Sequence, residues 1–251
     1  MAKTFKALFN GTGDLTAYTP EIGSWTAPID ADFDDGGVHD PNLSLEVLVR
    51  DGVGGVLENY LIDTDPPRIL LLLDGVPAGD VFMEVQISTD LDTALVPNHD
   101  MYLGLRAQPN WPGSNDLWDF IGGQFRLGDV FTPDTTITAS VFTSYGGSTG
   151  GTGAIPTGSY PTGRTTFILR VEIVDNWITL YVDGSSMYTE EITEPHFLTD
   201  GQMVFMFVPN SWDYDATYYL SPLLSITAGT LPDSDAGAFW TANVKATEYD
   251  S

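Results

Sequence analysis

The chain contains no cysteine. Disulfide staples, thiolate metal sites and cysteine nucleophiles are therefore excluded at the outset. Basic residues are nearly as scarce. Nine Lys and Arg stand against 35 Asp and Glu, for a formal net charge of −26. All three lysines, Lys3, Lys6 and Lys245, sit near the ends of the chain. A surface of this sign repels phosphate backbones and anionic lipid, which argues against nucleic-acid and membrane partners. Long apolar runs are also missing. The best of them, Ile69–Leu73, is far too short to cross a bilayer, and the opening MAKTFKALFN has no apolar stretch of signal-peptide length. Nor does any window of helical length carry a capped 3.6-residue stripe.

The acidity has three readings. The surface is adapted to salt, which screens self-repulsion; its carboxylates hold divalent cations; or they face a basic partner. Salt adaptation is the plainest of the three.

What is present is alternation. With 42% hydrophobic residues, short runs of period two recur between Gly, Pro, Asn and Asp. They predict strands over 5–9, 43–49, 55–60, 68–73, 81–88, 101–106, 120–127, 136–142, 166–174, 177–182, 187–192, 203–208 and 218–228. Many short strands with Gly/Pro-rich turns imply an all-β, two-sheet antiparallel jelly-roll sandwich. A chain of 251 residues fits one such sandwich over residues 1–229, followed by an extension, 230–251, that returns as a strand or docks elsewhere. The stretch 146–163, GGSTGGTGAIPTGSYPTG, is expected to be a long loop.

The clearest element is FILRVEIVDNWITLYVDG, residues 167–184. Phe167, Leu169, Val171 and Ile173 share one strand face, and Ile178, Leu180 and Val182 share the next. Asp175 and Asn176 supply the two-residue turn between them, where positive φ is needed. Trp25 and Trp177 are expected in the core or on a sheet face.

This hairpin resembles one in the concanavalin A-like lectin/glucanase superfamily, laminin-G-like branch. There a φ-R-V-E-φ strand, a tight turn and a φ-x-φ-Y-V-D-G strand follow one another. Here they are Leu169-Arg170-Val171-Glu172-Ile173 and Ile178-Thr179-Leu180-Tyr181-Val182-Asp183-Gly184. Residues 9–26, FNGTGDLTAYTPEIGSWT, and the Gly54-Gly55-Val56-Leu57 strand resemble the opening of such domains in bacteriophage virion proteins. The resemblance spans most of residues 5–229. It implies two curved sheets with a concave face that often binds glycans, but not a function, because one fold serves many.

Hydrolases of that superfamily carry paired carboxylates on one strand as E-x-D-x-E or E-x-D-x-x-E. No such run exists here. Glu172 and Asp175 are the nearest, and their spacing sends them to opposite faces, so they read as a solvated strand. Hydrolysis would need a site assembled from distant segments. Asp30, Asp32 and Asp34 alternate as in a calcium loop, without the Gly and Glu an EF-hand requires; calcium is the one candidate cofactor. His39, His99 and His196 are isolated and lack zinc spacing.

Aromatic loops carry the best binding signal. Trp111, Trp118, Trp212 and Tyr214 lie among Asn110 and Asp213, and rings beside amides and carboxylates suit sugars or protein hot spots. The plain alternative is that these rings cover the sandwich ends.

From the residues and the resemblance together, the expected protein is a non-enzymatic virion surface component, a capsid decoration or tail accessory. It would assemble as a homo-oligomer on the particle with other virion proteins, and the Lys3/Lys6 arm, the Gly/Thr loop and the tail from Phe239 would dock it. The absence of a secretory leader agrees with a virion location. Two alternatives stand beside this reading: a glycan-binding adhesin, and a glycan hydrolase or lyase.

Overall fold

The computed structural model describes residues 2–9, 13–14, 19–30, 44–50, 53–59, 69–75, 77–88, 99–109, 118–127, 136–145, 148–152, 158–159, 166–209, 218–219 and 223–231. The strands are β1 (Ala2–Leu8), β2 (Gly13–Asp14), β3 (Trp25–Asp30), β4 (Ser44–Arg50), β5 (Val53–Asn59) and β6 (Ile69–Leu73). Next come β7 (Val81–Ser88), β8 (His99–Pro109), β9 (Trp118–Leu127), β10 (Thr136–Tyr145), β11 (Ser148–Thr152) and β12 (Gly158–Ser159). The last are β13 (Thr166–Val174), β14 (Trp177–Val182), β15 (Ser185–Glu191), β16 (Gln202–Pro209), β17 (Tyr218–Tyr219) and β18 (Leu223–Thr230). Among the described residues the only helical element is a 3-10 turn, Pro195–Leu198.

Two antiparallel sheets form a jelly-roll sandwich. The smaller has six strands in the order β1-β18-β7-β13-β14-β15; the larger runs β11-β10-β9-β8-β16-β6-β3, with β12 also on β10. The jumps in strand order place sequence-distant strands side by side. A third sheet, β17-β5-β4-β2, accompanies them.

Alternation decides what lies between the sheets. Phe167, Leu169, Val171 and Ile173 of β13 and Ile178, Leu180 and Val182 of β14 all point into one core. From the larger sheet they meet Leu103, Phe125, Ile137, Val141 and Phe205. Trp25 packs at the margin, its ring stacked on Phe9 with centroids 5.9 Å apart. Trp177 is on the outer sheet face and 50% exposed.

The hairpin forms as its sequence predicts. Val174 pairs with Trp177 across the two-residue turn, and Asp175 takes φ 52°. A second tight turn follows at Asp183–Gly184, with φ 52° and 78°. In this second turn positive φ at both central residues matches the right-handed strand twist, and glycine tolerates it best.

Three expectations change. The 146–163 stretch holds β11 and β12, both hydrogen-bonded to β10. The 218–228 stretch is two strands, in two different sheets. Lys3 and Lys6 belong to β1 inside the smaller sheet, and Lys6 pairs with Glu21.

Candidate functional site

The outer face of the larger sheet is built by the residues that alternate with its core positions. Met101, Leu103 and Leu105 of β8 face inward, so Asp100, Tyr102 and Gly104 face outward. The same holds for Phe120, Gly122 and Gln124 on β9, for Ser140 and Phe142 on β10, and for Val204 and Met206 on β16. Leu72, Tyr102, Ala107, Phe120, Phe142, Val204 and Met206 form an apolar cluster separate from the main core.

Two glycines make room for its rings. Gly104 and Gly122 are register partners. A Cβ on Gly104 would lie 2.7 Å from Cδ2 of Phe120, and one on Gly122 only 2.1 Å from the Leu103 carbonyl oxygen. The bare backbone lets Phe120 lie over β8. Phe142 then meets Tyr102 edge-on at 4.6 Å and Phe120 at 5.7 Å, both favourable ring geometries.

Beside the rings runs a polar chain. Ser140 Oγ donates to Gln124 Oε1 at 3.2 Å. Gln124 Nε2 donates to Asp100 Oδ2 and to Tyr102 Oη, each at 3.1 Å. The register explains the convergence: Tyr102 pairs with Gln124, and Gln124 with Ser140. Asp100 is only 5% exposed; its buried carboxylate is held by a hydrogen-bonded amide, as burial demands. The face therefore gathers a carboxylate, an amide, a hydroxyl and a phenol in one hydrogen-bonded chain beside the rings, with Asp100, Tyr102, Phe120 and Phe142 all buried.

The residues singled out from sequence are mostly not those. Asn110, Trp111, Trp212, Asp213 and Tyr214 lie outside the described residues. Trp118 opens β9, its backbone opposite Pro109 at one end of the same sheet. Of the calcium set, Asp30 ends β3 opposite Ile69, while Asp32 and Asp34 lie outside the described residues. Among the described residues no three His, Asp or Glu side chains come together as a metal set. His196 sits on the 3-10 turn with Nε2 3.4 Å from Oδ2 of Asp119.

Glu172 is not the solvated residue expected of it. It is buried on the outer face of the smaller sheet, where Arg170 Nη2 lies 2.5 Å from its Oε1 and Arg170 Nη1 lies 3.1 Å from Glu84 Oε2. The same guanidinium sits 4.4 Å above the Phe82 ring. The R-V-E motif is thus a capped ion pair. Asp100, Tyr102, Gln124, Ser140 and Phe142 were missed. Their signal was available in part, because HDMYLGL sets Asp100 and Tyr102 on the strand face opposite Met101, Leu103 and Leu105.

No protein-family model matches the chain, and no curated protein matches it. Solved structures do. The chain is similar to LamA E269S of Z. galactanivorans in complex with laminaritriose and laminaritetraose: TM-score 0.52, 11% identity, 90% of this chain and 95% of that one. It is similar to the LamA catalytic structure from Zobellia galactanivorans: TM-score 0.50, 10% identity, 90% and 94%. An endo-β-1,3-glucanase from Pyrococcus furiosus matches at TM-score 0.49 and 15% identity, over 89% of each chain.

These likenesses correct the expected function. The non-enzymatic reading rested on motif resemblance alone. A sandwich of this shape has been solved in complex with laminaritriose and laminaritetraose. What the likeness establishes for this chain is its fold, a concanavalin A-like jelly roll.

Proposed function

We propose that the protein is a glycan hydrolase that seats a polysaccharide across the outer face of the larger sheet. The observation that carries this reading is the chain Ser140–Gln124–Asp100, with Tyr102, lying beside the Phe120 and Phe142 rings. Sugar sites combine a flat apolar floor with a few placed polar groups. The likeness to a fold solved with laminaritriose and laminaritetraose supports the same reading.

Glycoside hydrolysis needs two carboxylates flanking the scissile bond. Asp100 supplies one. The sequence has no E-x-D-x-E run, so the second comes from another segment.

The test is release of reducing ends from a panel of β-glucans and other polysaccharides. Wild-type protein releases them, and Asp100→Asn lowers the rate about 100-fold or more with an unchanged circular dichroism spectrum. No release from any polysaccharide overturns the reading. Full activity of Asp100→Asn removes Asp100 from the mechanism.

A further inference from the structure

The outer face of the smaller sheet carries its own row of rings and hydroxyls, on the side of the sandwich opposite Asp100. Ile178, Leu180 and Val182 of β14 enter the core, so Trp177, Thr179 and Tyr181 stand outward. Their register partners on β15 are Glu191, Thr189 and Ser186. All three partners are exposed. Trp177, at 50%, is the most exposed large hydrophobic among the described residues.

Contacts within the row hold it in place. The hydroxyls of Thr179 and Thr189 meet at 3.2 Å across the two strands. The half-buried Tyr181 phenol is hydrogen-bonded to Glu172, so its ring is fixed on the face. Four residues separate Trp177 from Tyr181, about 13 Å along an extended strand. Hydroxyls lie between the two rings, and the Glu191 carboxylate lies at the indole end. Arg170, the arginine of this face, is held between Glu84 and Glu172.

We infer that the outer face of β14 and β15 is a binding track for a neutral polysaccharide, separate from the face that carries Asp100. One sugar ring stacks on the Trp177 indole and another lies against Tyr181. Hydroxyls of the chain between them exchange hydrogen bonds with Thr179, Thr189 and Ser186 and donate to Glu191. Apolar platforms with a few placed polar groups are what a sugar chain requires. Charge narrows the occupant. The chain carries −26, Glu191 stands beside the indole, and Arg170 is already paired, so an anionic glycan is repelled. A neutral chain brings hydroxyl donors to the carboxylate without a charge of its own to desolvate. The track goes beyond the hydrolytic reading and stands without it, since binding here needs no catalytic carboxylate.

The probes are soluble neutral polysaccharides, namely a β-1,3-glucan, a mixed-linkage β-glucan and a xylan, with polygalacturonate as the anionic control. Affinity electrophoresis of the full chain through gels holding each one measures retardation. At least one neutral polysaccharide retards the protein, and polygalacturonate does not. Trp177→Ala weakens that binding about tenfold, Trp177→Phe keeps most of it, and the exposed position leaves the circular dichroism spectrum unchanged. Release of reducing ends from a short oligosaccharide is the same in Trp177→Ala and wild type; where wild type releases none, retardation alone decides. Absence of retardation by every neutral polysaccharide overturns the inference and leaves the indole to a protein partner. Equal retardation of Trp177→Ala and wild type, or of wild type by polygalacturonate and the neutral chains, overturns it as well. So does loss of oligosaccharide hydrolysis in Trp177→Ala, which ties Trp177 to the catalytic face.

Discussion

Arg106 Nη2 donates a 3.0 Å hydrogen bond to the main-chain carbonyl of Asp175, so a residue of the larger sheet holds the tight turn of the smaller one. Nη1 donates to the Phe197 carbonyl at 3.1 Å and fastens the 3-10 turn as well. The Asp175 amide is held in turn by Asp80 Oδ1 at 2.8 Å. Arg106 reaches inward because β8 is bulged: the register shifts between Leu105 and Gln108, and Arg106 takes φ 52°. Burial pushes its guanidinium below the usual range, and Asp200 and then Asp80 oppose that shift. The bulge also turns Ala107 to the outer face, into the cluster with Phe120 and Phe142.

Arg106→Ala strands the buried Phe197 carbonyl and the partly buried Asp175 carbonyl and removes the tie between the sheets. The expected loss is about 3 kcal/mol, from two charge-assisted hydrogen bonds and the desolvated groups left behind. Chemical denaturation measures it. Arg106→Lys recovers little, since one ammonium does not span two carbonyls as the planar fork does. A loss below about 1 kcal/mol for Arg106→Ala means that water replaces the clasp.

The glycines differ in what they cost. Gly122→Ala puts a methyl against the main-chain oxygen of Leu103, which no rotamer change relieves, so β8 and β9 must separate. The expected destabilisation is about 3 kcal/mol, at the upper end for overpacking. Gly184→Ala meets nothing within 4 Å and costs about 1 kcal/mol through its positive φ. Thermal melts of the two variants test the order; equal shifts contradict it.

How much of this was legible follows from the kind of signal. The β13–β14 hairpin was legible because alternation and an Asp-Asn turn are local. The core was legible for the same reason, from Phe167 to Val182. β11 and β12 were not, because Gly, Ser and Thr carry no alternation and β10 alone recruits them. The polar chain of the site was not legible as a site. Asp100, Gln124 and Ser140 lie on three strands, and period two says which face each residue takes but not which strands become neighbours. The Arg106 bulge left no mark either, since its cause is the tertiary anchoring of the guanidinium. Ion pairing of Glu172 with Arg170 was hidden by a pattern that fits a solvated strand equally well.

Gln124 couples the site as a unit. It donates to Asp100 and Tyr102 and accepts from Ser140. Gln124→Ala leaves a buried carboxylate and a phenol short of a donor, for about 1–2 kcal/mol. In a double-mutant cycle with Asp100→Asn the effects are non-additive by about 1 kcal/mol. Strict additivity in urea denaturation shows that the amide contact carries no energy.

Tyr181 sets an alkaline limit to stability. Its phenol is pushed up to about 12, first by burial, then by the charge of Glu172 and the hydrogen bond to it, against smaller opposing effects of Thr179 and Arg170. In the unfolded chain it titrates near about 10. The folded value is the higher one, so its contribution is fully present below about pH 10. Between about pH 10 and 12 the unfolded chain has lost this proton while the folded one keeps it, and stability falls as pH rises. Denaturation midpoints across that window show the decline, and Tyr181→Phe reduces it. Glu172→Gln removes the charge and keeps the burial, so tyrosinate absorbance develops at lower pH than in wild type but still above the ordinary range. An identical alkaline titration of Glu172→Gln and wild type assigns the whole shift to burial and removes Glu172 from it.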